Sequence, residues 1–193
     1  EAMAERQVTA AGETHQLGSP FFVLATENPI EMEGTYPLPE AQSDRFLMKL
    51  PVIQPSASEL RDILEVHPRQ AMTRLETVMS REKLIEYQEH VRNIPASDAV
   101  KELVVSIVVR TRPENVPTTL REYVRLGASP RAAQGLIGVA RARAAMAGRL
   151  HVLEEDVLSM APHVLRHRIL LGFAARADGV STDDVVRGVL EEL

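Results

Sequence analysis

The chain has 193 residues, of which 45% are hydrophobic, and its 22 basic and 27 acidic residues give a formal net charge of -5. This length allows one large domain or one and a half small ones, and the net negative charge argues against a general nucleic-acid binder, although a local basic patch remains compatible with it. There is no cysteine, which excludes disulfides and thiolate sites, and no apolar run approaches the roughly 18 residues that span a bilayer, so we expect a soluble cytoplasmic protein.

The first residues predict a helical turn and a hairpin. Residues 1–5 read as the end of a helix, and the chain has no initiator Met, so we expect a fragment of a longer protein. Residues 7–9 and 14–17 alternate in character around Gly12, which predicts a β-hairpin.

The apolar run at 21–25 (FFVLA) predicts a strand buried on both faces, and a polar turn follows at 26–29. Open α/β sheets place ligand chemistry at the carboxyl ends of such strands, so this turn is a candidate site. Residues 48–53 predict a second short strand, and because it contains Pro51 we expect an edge strand or a strand end.

From Ser56 onward the hydrophobic period is helical. Ser56 and Glu59 predict a capping box, two further helices precede a proline-containing loop, and Ser129 with Pro130 begins a long helix. Two more helices follow toward the end of the chain. The predicted fold is an α/β remnant over residues 1–55, followed by an all-α bundle over residues 56–193, and it is mostly helical overall.

Asn28 is the first candidate site residue, in the turn after the predicted buried strand. An amide donates and accepts hydrogen bonds at once, as needed to orient a water molecule against a phosphate. Since Asn beside proline is also common in turns, a purely structural role remains open.

Arg131 is the second candidate. Ser129 as N-cap and Pro130 as first helical residue place Arg131 in the first turn of its helix, where the dipole disfavours a cation by roughly 0.3 to 1 kcal/mol. An anion that contacts both the helix terminus and the guanidinium would explain this position, and phosphate is the typical one. A solvated arginine at an exposed cap is the alternative.

Arg45 is a weaker candidate by itself, because Asp44 and Arg45 could form a surface ion pair worth at most about 1 kcal/mol. His163 and His167 are spaced to share a helix face, but no Glu accompanies them as a metalloprotease motif requires, so we expect no metal site. Five arginines could form a basic stripe, although a solvated helix face is the better interpretation: Arg141, Arg143, Arg149, Arg166 and Arg168.

The nucleotide-hydrolysis motifs are missing from this sequence. There is no G-x-x-x-x-G-K-[ST] phosphate loop, and no apolar strand ends in Asp-Glu to hold magnesium. We therefore expect the chain alone to be inactive as a nucleotide hydrolase.

Four segments in order resemble the MoxR family of AAA+ ATPases: EAMAERQVTAAGETH, ATENPIEMEGTYPLPEAQSDRF, RLGASPRA and APHVLRHRI. The resemblance covers nearly the whole chain. It implies the end of an AAA+ core, with a hairpin and the sensor 1 strand, followed by a helical lid domain. The Walker A and Walker B motifs would then lie upstream of Glu1.

The resemblance also implies roles for the candidate residues. Asn28 matches sensor 1, which helps to align the attacking water. Arg45 matches the arginine finger that reaches the nucleotide of the neighbouring subunit, and Arg131 matches the sensor 2 arginine of the lid, which contacts the γ-phosphate. Glu27 departs from the family, because many relatives have Gln there.

For the full-length protein, the resemblance implies a ring-forming, usually hexameric ATPase that uses ATP and Mg²⁺. It further implies chaperone-like remodelling or metal insertion with partners that carry a von Willebrand factor A domain. The alternative from the residues alone is a non-enzymatic helical adaptor or a DNA- or protein-binding module.

Overall fold

The computed structural model describes residues 1–27, 38–65 and 76–193. Over these residues the elements are α1 (Ala2–Glu5), β1 (Gln7–Ala10), β2 (Glu13–Gln16), α2 (Glu40–Ser43), α3 (Ala57–Glu65), α4 (Arg81–Asn93), α5 (Asp98–Arg110), a 3₁₀ turn (Thr118–Leu120), β3 (Val124–Leu126), α6 (Pro130–Met146), α7 (Glu154–Leu165), β4 (Leu170–Leu171), α8 (Phe173–Asp178) and α9 (Thr182–Glu191). The chain is mostly helical, as the sequence predicted.

The predicted hairpin is confirmed. Strands β1 and β2 pair antiparallel, with Val8 opposite His15. The two loop residues between them, Ala11 and Gly12, have φ values of 51° and 86°. Positive φ at both central positions is characteristic of the type I′ turn, whose twist matches that of paired strands.

The two other predicted strands are wrong for this structure. Residues 21–25 and 48–53 form neither helix nor strand. Phe22 is 79% exposed, so the first segment is not buried on both faces, and Val52 in the second segment is 96% exposed. A strand exists only through hydrogen bonds to a neighbouring strand, and no other described segment of this chain supplies one.

The helices predicted after Ser56 are confirmed as α3 to α7 and α9. The capping box before α3 is present, because the Ser56 amide donates to Glu59 Oε2 at 2.7 Å and the Glu59 amide donates to Ser56 Oγ at 3.3 Å. The apolar positions of α3 are exposed, however, and Leu64 is 85% exposed. The hydrophobic core therefore lies further along the chain.

Helix α6 is at the centre of that core and packs against α4, α5 and α7. Its stripe of Ala132, Leu136, Ala140 and Ala144 is fully buried, at the spacing of four that places residues on one helix face. Small side chains on this stripe let the neighbouring helices approach closely. The core residues contributed by α5, α7 and α9 are mainly valines, with Ile107 and Leu165 among the largest.

The prediction of an all-α bundle is wrong in one respect. Strands β3 and β4 form a two-stranded antiparallel sheet, with Val124 opposite Leu171. The Gly172 amide extends the pairing by donating to the Tyr123 carbonyl at 2.8 Å. The strands are only three and two residues long, too short for a period-2 pattern to appear in the sequence.

Within residues 1–27, 38–65 and 76–193, no helix is both long enough and apolar enough to cross a membrane.

Candidate functional site

The start of α6 is held in place by the end of α5. Ser129 is the N-cap, and its Oγ accepts a hydrogen bond from the Arg131 amide at 3.2 Å, as predicted. One residue earlier, the Ala128 amide donates to Oγ1 of Thr111 at 2.9 Å, and Thr111 is fully buried. The first turn of α6 is therefore fixed from two sides.

The anion next to Arg131 is the carboxylate of Asp44. Nη1 of Arg131 lies 3.2 Å from Oδ2 of Asp44, and the Ser129 hydroxyl lies 2.8 and 2.9 Å from the two carboxylate oxygens. Arg131 keeps 53% of its side chain exposed, whereas Asp44 keeps 16%. A cation in the first turn of a helix is thus compensated by a carboxylate from another part of the chain, and Arg131 is not simply a solvated cap.

Arg168 forms the buried side of the same cluster. Its side chain is 3% exposed, and its Nε donates to Oδ1 of Asp44 at 3.1 Å. The other guanidinium nitrogens donate to the main-chain carbonyls of Asp44 at 3.2 Å and Leu47 at 3.1 Å, and to those of Phe46 and Val164. One arginine that follows α7 therefore binds the residues on both sides of Arg45.

His167 makes a second contact to this segment. Its Nε2 lies 3.0 Å from the Phe46 carbonyl, so the neutral ring donates Nε2–H to that oxygen. Close by, the Lys49 amide donates to the His163 carbonyl at 2.9 Å. We call Arg168 and His167 together the clamp, because both hold the segment that contains Arg45 against the end of α7.

The electrostatics of the cluster favour an ionised Asp44. Burial would raise the pKa of Asp44, but hydrogen bonds from Ser129 and Arg131 and the charge of Arg168 outweigh it and hold that pKa below its usual value. Burial lowers the pKa of Arg168, opposed by the Asp44 charge. Burial likewise lowers the pKa of His167, and the Phe46 carbonyl opposes it. In the clamp, Arg168 is therefore paired with an ionised Asp44, and His167 is a neutral imidazole.

Arg45 follows the short helix α2 and is exposed. The expectation of a surface ion pair between Asp44 and Arg45 is wrong, because Asp44 pairs with Arg131 and Arg168. The Arg45 side chain makes no hydrogen bond or ion pair with any described residue, while the main chain on either side of it is held by the clamp. The guanidinium of Arg45 is thus exposed on the surface, while the main chain on either side of it is held by hydrogen bonds.

Asn28 lies outside the described residues. Its neighbour Glu27 is described, and Oε2 of Glu27 lies 2.6 Å from Nζ of Lys49 with both side chains about half exposed. The structure therefore brings Arg131 next to the segment of Arg45, through Asp44, and leaves the position of Asn28 a prediction.

Three of the remaining arginines lie next to carboxylates. Arg143 and Arg149 pair with the fully buried carboxylate of Asp156, and Arg166 lies 3.1 Å from Asp183. These ion pairs do not favour a basic stripe. In the described part of the chain, no group of three or more His, Cys, Asp or Glu side chains is arranged to hold a metal ion.

Two family models match parts of this chain. The ATPase family associated with various cellular activities (AAA) matches residues 1–48, and the AAA lid domain matches residues 117–189. The chain is similar to the chaperone MoxR1 of Mycobacterium tuberculosis, at 43% identity over 196 residues that cover 99% of this chain and 51% of MoxR1. The chain belongs to the MoxR family of AAA+ ATPases.

Two further relatives of this MoxR family chain support the assignment. The uncharacterized protein YeaC of Bacillus subtilis is 42% identical over 191 residues, covering 98% of this chain and 58% of YeaC. A crystal structure of a Cytophaga hutchinsonii protein assigned as an ATPase superposes with a TM-score of 0.88 at 34% identity, covering 100% of this chain and 59% of that one. The chain spans about half the length of the curated relatives that it matches.

Sequence reasoning missed two residues of the site. The sequence pattern predicts Asp44 only as a partner of Arg45, and Arg168 only as part of a solvated helix face or a basic stripe. Both lie in segments that carry the family resemblance, QSDRF and VLRHRI, and that is the signal that could have found them. Their pairing across 124 positions has no local sequence pattern.

Proposed function

We propose that this chain is the C-terminal part of a MoxR-like ATPase that hydrolyses ATP with Mg²⁺ in a ring of subunits. In this proposal Asn28 is sensor 1, Arg45 is the arginine finger and Arg131 is the sensor 2 arginine. The observation that carries it is the carboxylate of Asp44, the residue before Arg45, which accepts hydrogen bonds from Arg131 in the first turn of α6 and from the buried Arg168. The exposed residues Arg45 and Arg131 are thereby linked through Asp44.

Arg131 is suited to bind an anion such as the γ-phosphate. A guanidinium has five N–H donors, and Asp44 engages Nη1 of Arg131 while about half of the side chain remains exposed. The helix N-terminus adds partial positive charge at the same place. The residues present therefore fit the phosphate end of ATP.

Arg45 is suited to act on a neighbouring subunit. It is exposed, and the carbonyls of Asp44 and Phe46 on either side of it are bonded to the buried Arg168. An arginine supplied in trans increases phosphoryl transfer by a factor on the order of 10³ to 10⁵, but only if it is held in position. The clamp provides such positioning.

The domain division is part of the same proposal. We place the end of the AAA+ core at residue 55 and the helical lid with sensor 2 at 56–193, supported by the family matches to 1–48 and 117–189. From family membership we further infer a cytoplasmic, hexameric ring. We also infer chaperone-like remodelling or metal insertion with partners that carry a von Willebrand factor A domain.

The test is ATP turnover by the intact protein, with the whole AAA+ core present. Arg45→Ala is expected to lower turnover by at least a hundredfold while each subunit still binds ATP. The matched control is Arg92→Ala, an exposed arginine on α4 that should leave turnover unchanged. Turnover of the Arg45 variant within about twofold of wild type would show that the finger assignment is wrong.

Arg131→Ala tests the lid residue separately. Loss of a charge-assisted contact to phosphate should weaken ATP affinity, measured by titration of the intact protein with a fluorescent ATP analogue. Unchanged affinity and turnover would contradict the sensor 2 role. An intact protein that neither binds nor hydrolyses ATP would favour the helical adaptor instead.

A further inference from the structure

Asp44 has a place in the structure that none of the predicted roles uses. Its Oδ1 accepts from Arg168 and its Oδ2 from Arg131, at 3.1 and 3.2 Å, and the Ser129 hydroxyl contacts both oxygens. It is also the residue before Arg45. A single carboxylate therefore contacts the lid arginine and belongs to the segment of the predicted finger.

The charges of this cluster are unequally distributed between the interior and the surface. Arg168 and Arg131 carry two positive charges against the single negative charge of Asp44. Arg168 is 3% exposed and Arg131 is 53% exposed. Because the buried arginine compensates the carboxylate from inside, a surplus positive charge remains at the exposed guanidinium, where an anionic ligand can reach it.

The contact between Asp44 and Arg131 is also incomplete. It runs from Nη1 to Oδ2 only, whereas an arginine and a carboxylate commonly pair through two parallel hydrogen bonds. A one-point contact orients the guanidinium and leaves its other donors available. Ser129, the N-cap of the same helix, holds the carboxylate by a hydrogen bond. The carboxylate that orients Arg131 is therefore itself fixed to the N-terminus of α6.

We propose that Asp44 is a positioning residue that orients Arg131 toward the phosphates of ATP and couples that arginine to the segment carrying Arg45. This rests on the proposed function above, and it assigns to Asp44 a role through Arg131 and not a contact with the nucleotide. Preorganisation of a side chain raises affinity by removing the ordering cost at binding. A residue that only stabilised the fold would contribute the same amount whether or not Arg131 were present.

The test is a double-mutant cycle on ATP affinity in the intact protein with Mg²⁺. Asp44→Asn keeps the shape of the side chain and removes its charge, and we expect it to raise the Kd for ATP by about five- to tenfold. In an Arg131→Ala background the same change should alter Kd by less than about twofold, because the residue through which Asp44 acts is gone. The matched control is Asp98→Asn, which removes an exposed carboxylate paired with Lys101 and should leave Kd unchanged.

If Asp44→Asn does not fold, as judged by urea unfolding, Asp44→Glu is taken through the same cycle. It keeps a carboxylate for Arg168 but shifts it by one methylene, so Arg131 is misplaced and Kd again rises only when Arg131 is present. Equal effects of the Asp44 change in both backgrounds, or no effect in either, would overturn the positioning role. Arg131→Ala that leaves Kd unchanged would instead overturn the proposed function, so the two failures are distinguishable.

Discussion

Nε of Arg168 donates a hydrogen bond to Oδ1 of Asp44 at 3.1 Å and so joins two residues 124 positions apart. The bond holds the segment around Arg45 against the end of α7. Because Arg168 is buried and Asp44 also pairs with Arg131, the same contact connects the interior of the lid with its exposed arginine. The stability of the chain, and the ATP turnover proposed for the intact protein, should both depend on it.

Arg168→Ala should lower the free energy of unfolding by about 3 to 5 kcal/mol, since it removes a buried cation and leaves the carbonyls that Arg168 binds unpaired. The control is Arg187→Ala, which removes an exposed ion pair with Asp184 and should cost at most about 1 kcal/mol. Urea unfolding measures both. Similar values for the two variants would show that the clamp contributes no more than a surface pair.

His167 should make stability depend on pH near neutrality. Burial holds the pKa of His167 in the folded chain below its ordinary value of 6.5, so the unfolded chain takes up the proton first. Its contribution is therefore fully present above about pH 6.5 and is lost as the pH falls through that value toward the folded pKa.

His167→Gln keeps an amide donor for the Phe46 carbonyl but cannot titrate. Between about pH 7.5 and 5.5, wild type should lose more stability than this variant, as measured by urea unfolding at each pH. The other groups near the ring, namely Arg168, Lys49 and Asp44, are the same in both proteins. Parallel curves would contradict the assignment of a neutral, partly buried imidazole.

Substitution of glycine by alanine should change stability in opposite directions at Gly127 and at Gly138. A Cβ at Gly127 would lie 2.6 Å from the Thr111 carbonyl oxygen, so Gly127→Ala must displace the main chain that leads into α6 and should destabilise the protein by about 1 to 3 kcal/mol. A Cβ at Gly138 would meet nothing within 4 Å. Inside a helix, Gly138→Ala should therefore stabilise by about 0.5 to 1 kcal/mol. Thermal unfolding of the two variants measures the signs, and a shared sign would contradict the packing described here.

The sequence predicted those elements whose signals are local. The capping box at Ser56, the N-cap at Ser129 and the hairpin around Gly12 depend on neighbouring residues, and each is present as predicted. Residues 21–25 have strand composition, but a strand depends on a partner, and no described segment of this chain provides it.

The site was predictable only in part, because most of its contacts join residues that are far apart in the sequence. The N-cap placed Arg131 in the first turn of α6, a position that either a bound anion such as phosphate or a solvated arginine would explain. That Asp44 contacts Arg131, and that Arg168 holds Asp44 from the interior, follows from contacts across the fold. Such contacts leave no periodicity or spacing in the sequence.

Under the proposed function, the segment ending at Arg45 serves two nucleotides, because Asn28 acts on the nucleotide of its own subunit and Arg45 on that of the next. The most direct measurement is ATP turnover by a mixture of two intact variants, Asn28→Ala and Arg45→Ala, each of which should be inactive alone. In mixed rings, an Arg45→Ala subunit retains Asn28 and can receive Arg45 from an Asn28→Ala neighbour, so turnover should rise well above that of either variant. Turnover in the mixture no higher than the average of the two separate variants would contradict the claim.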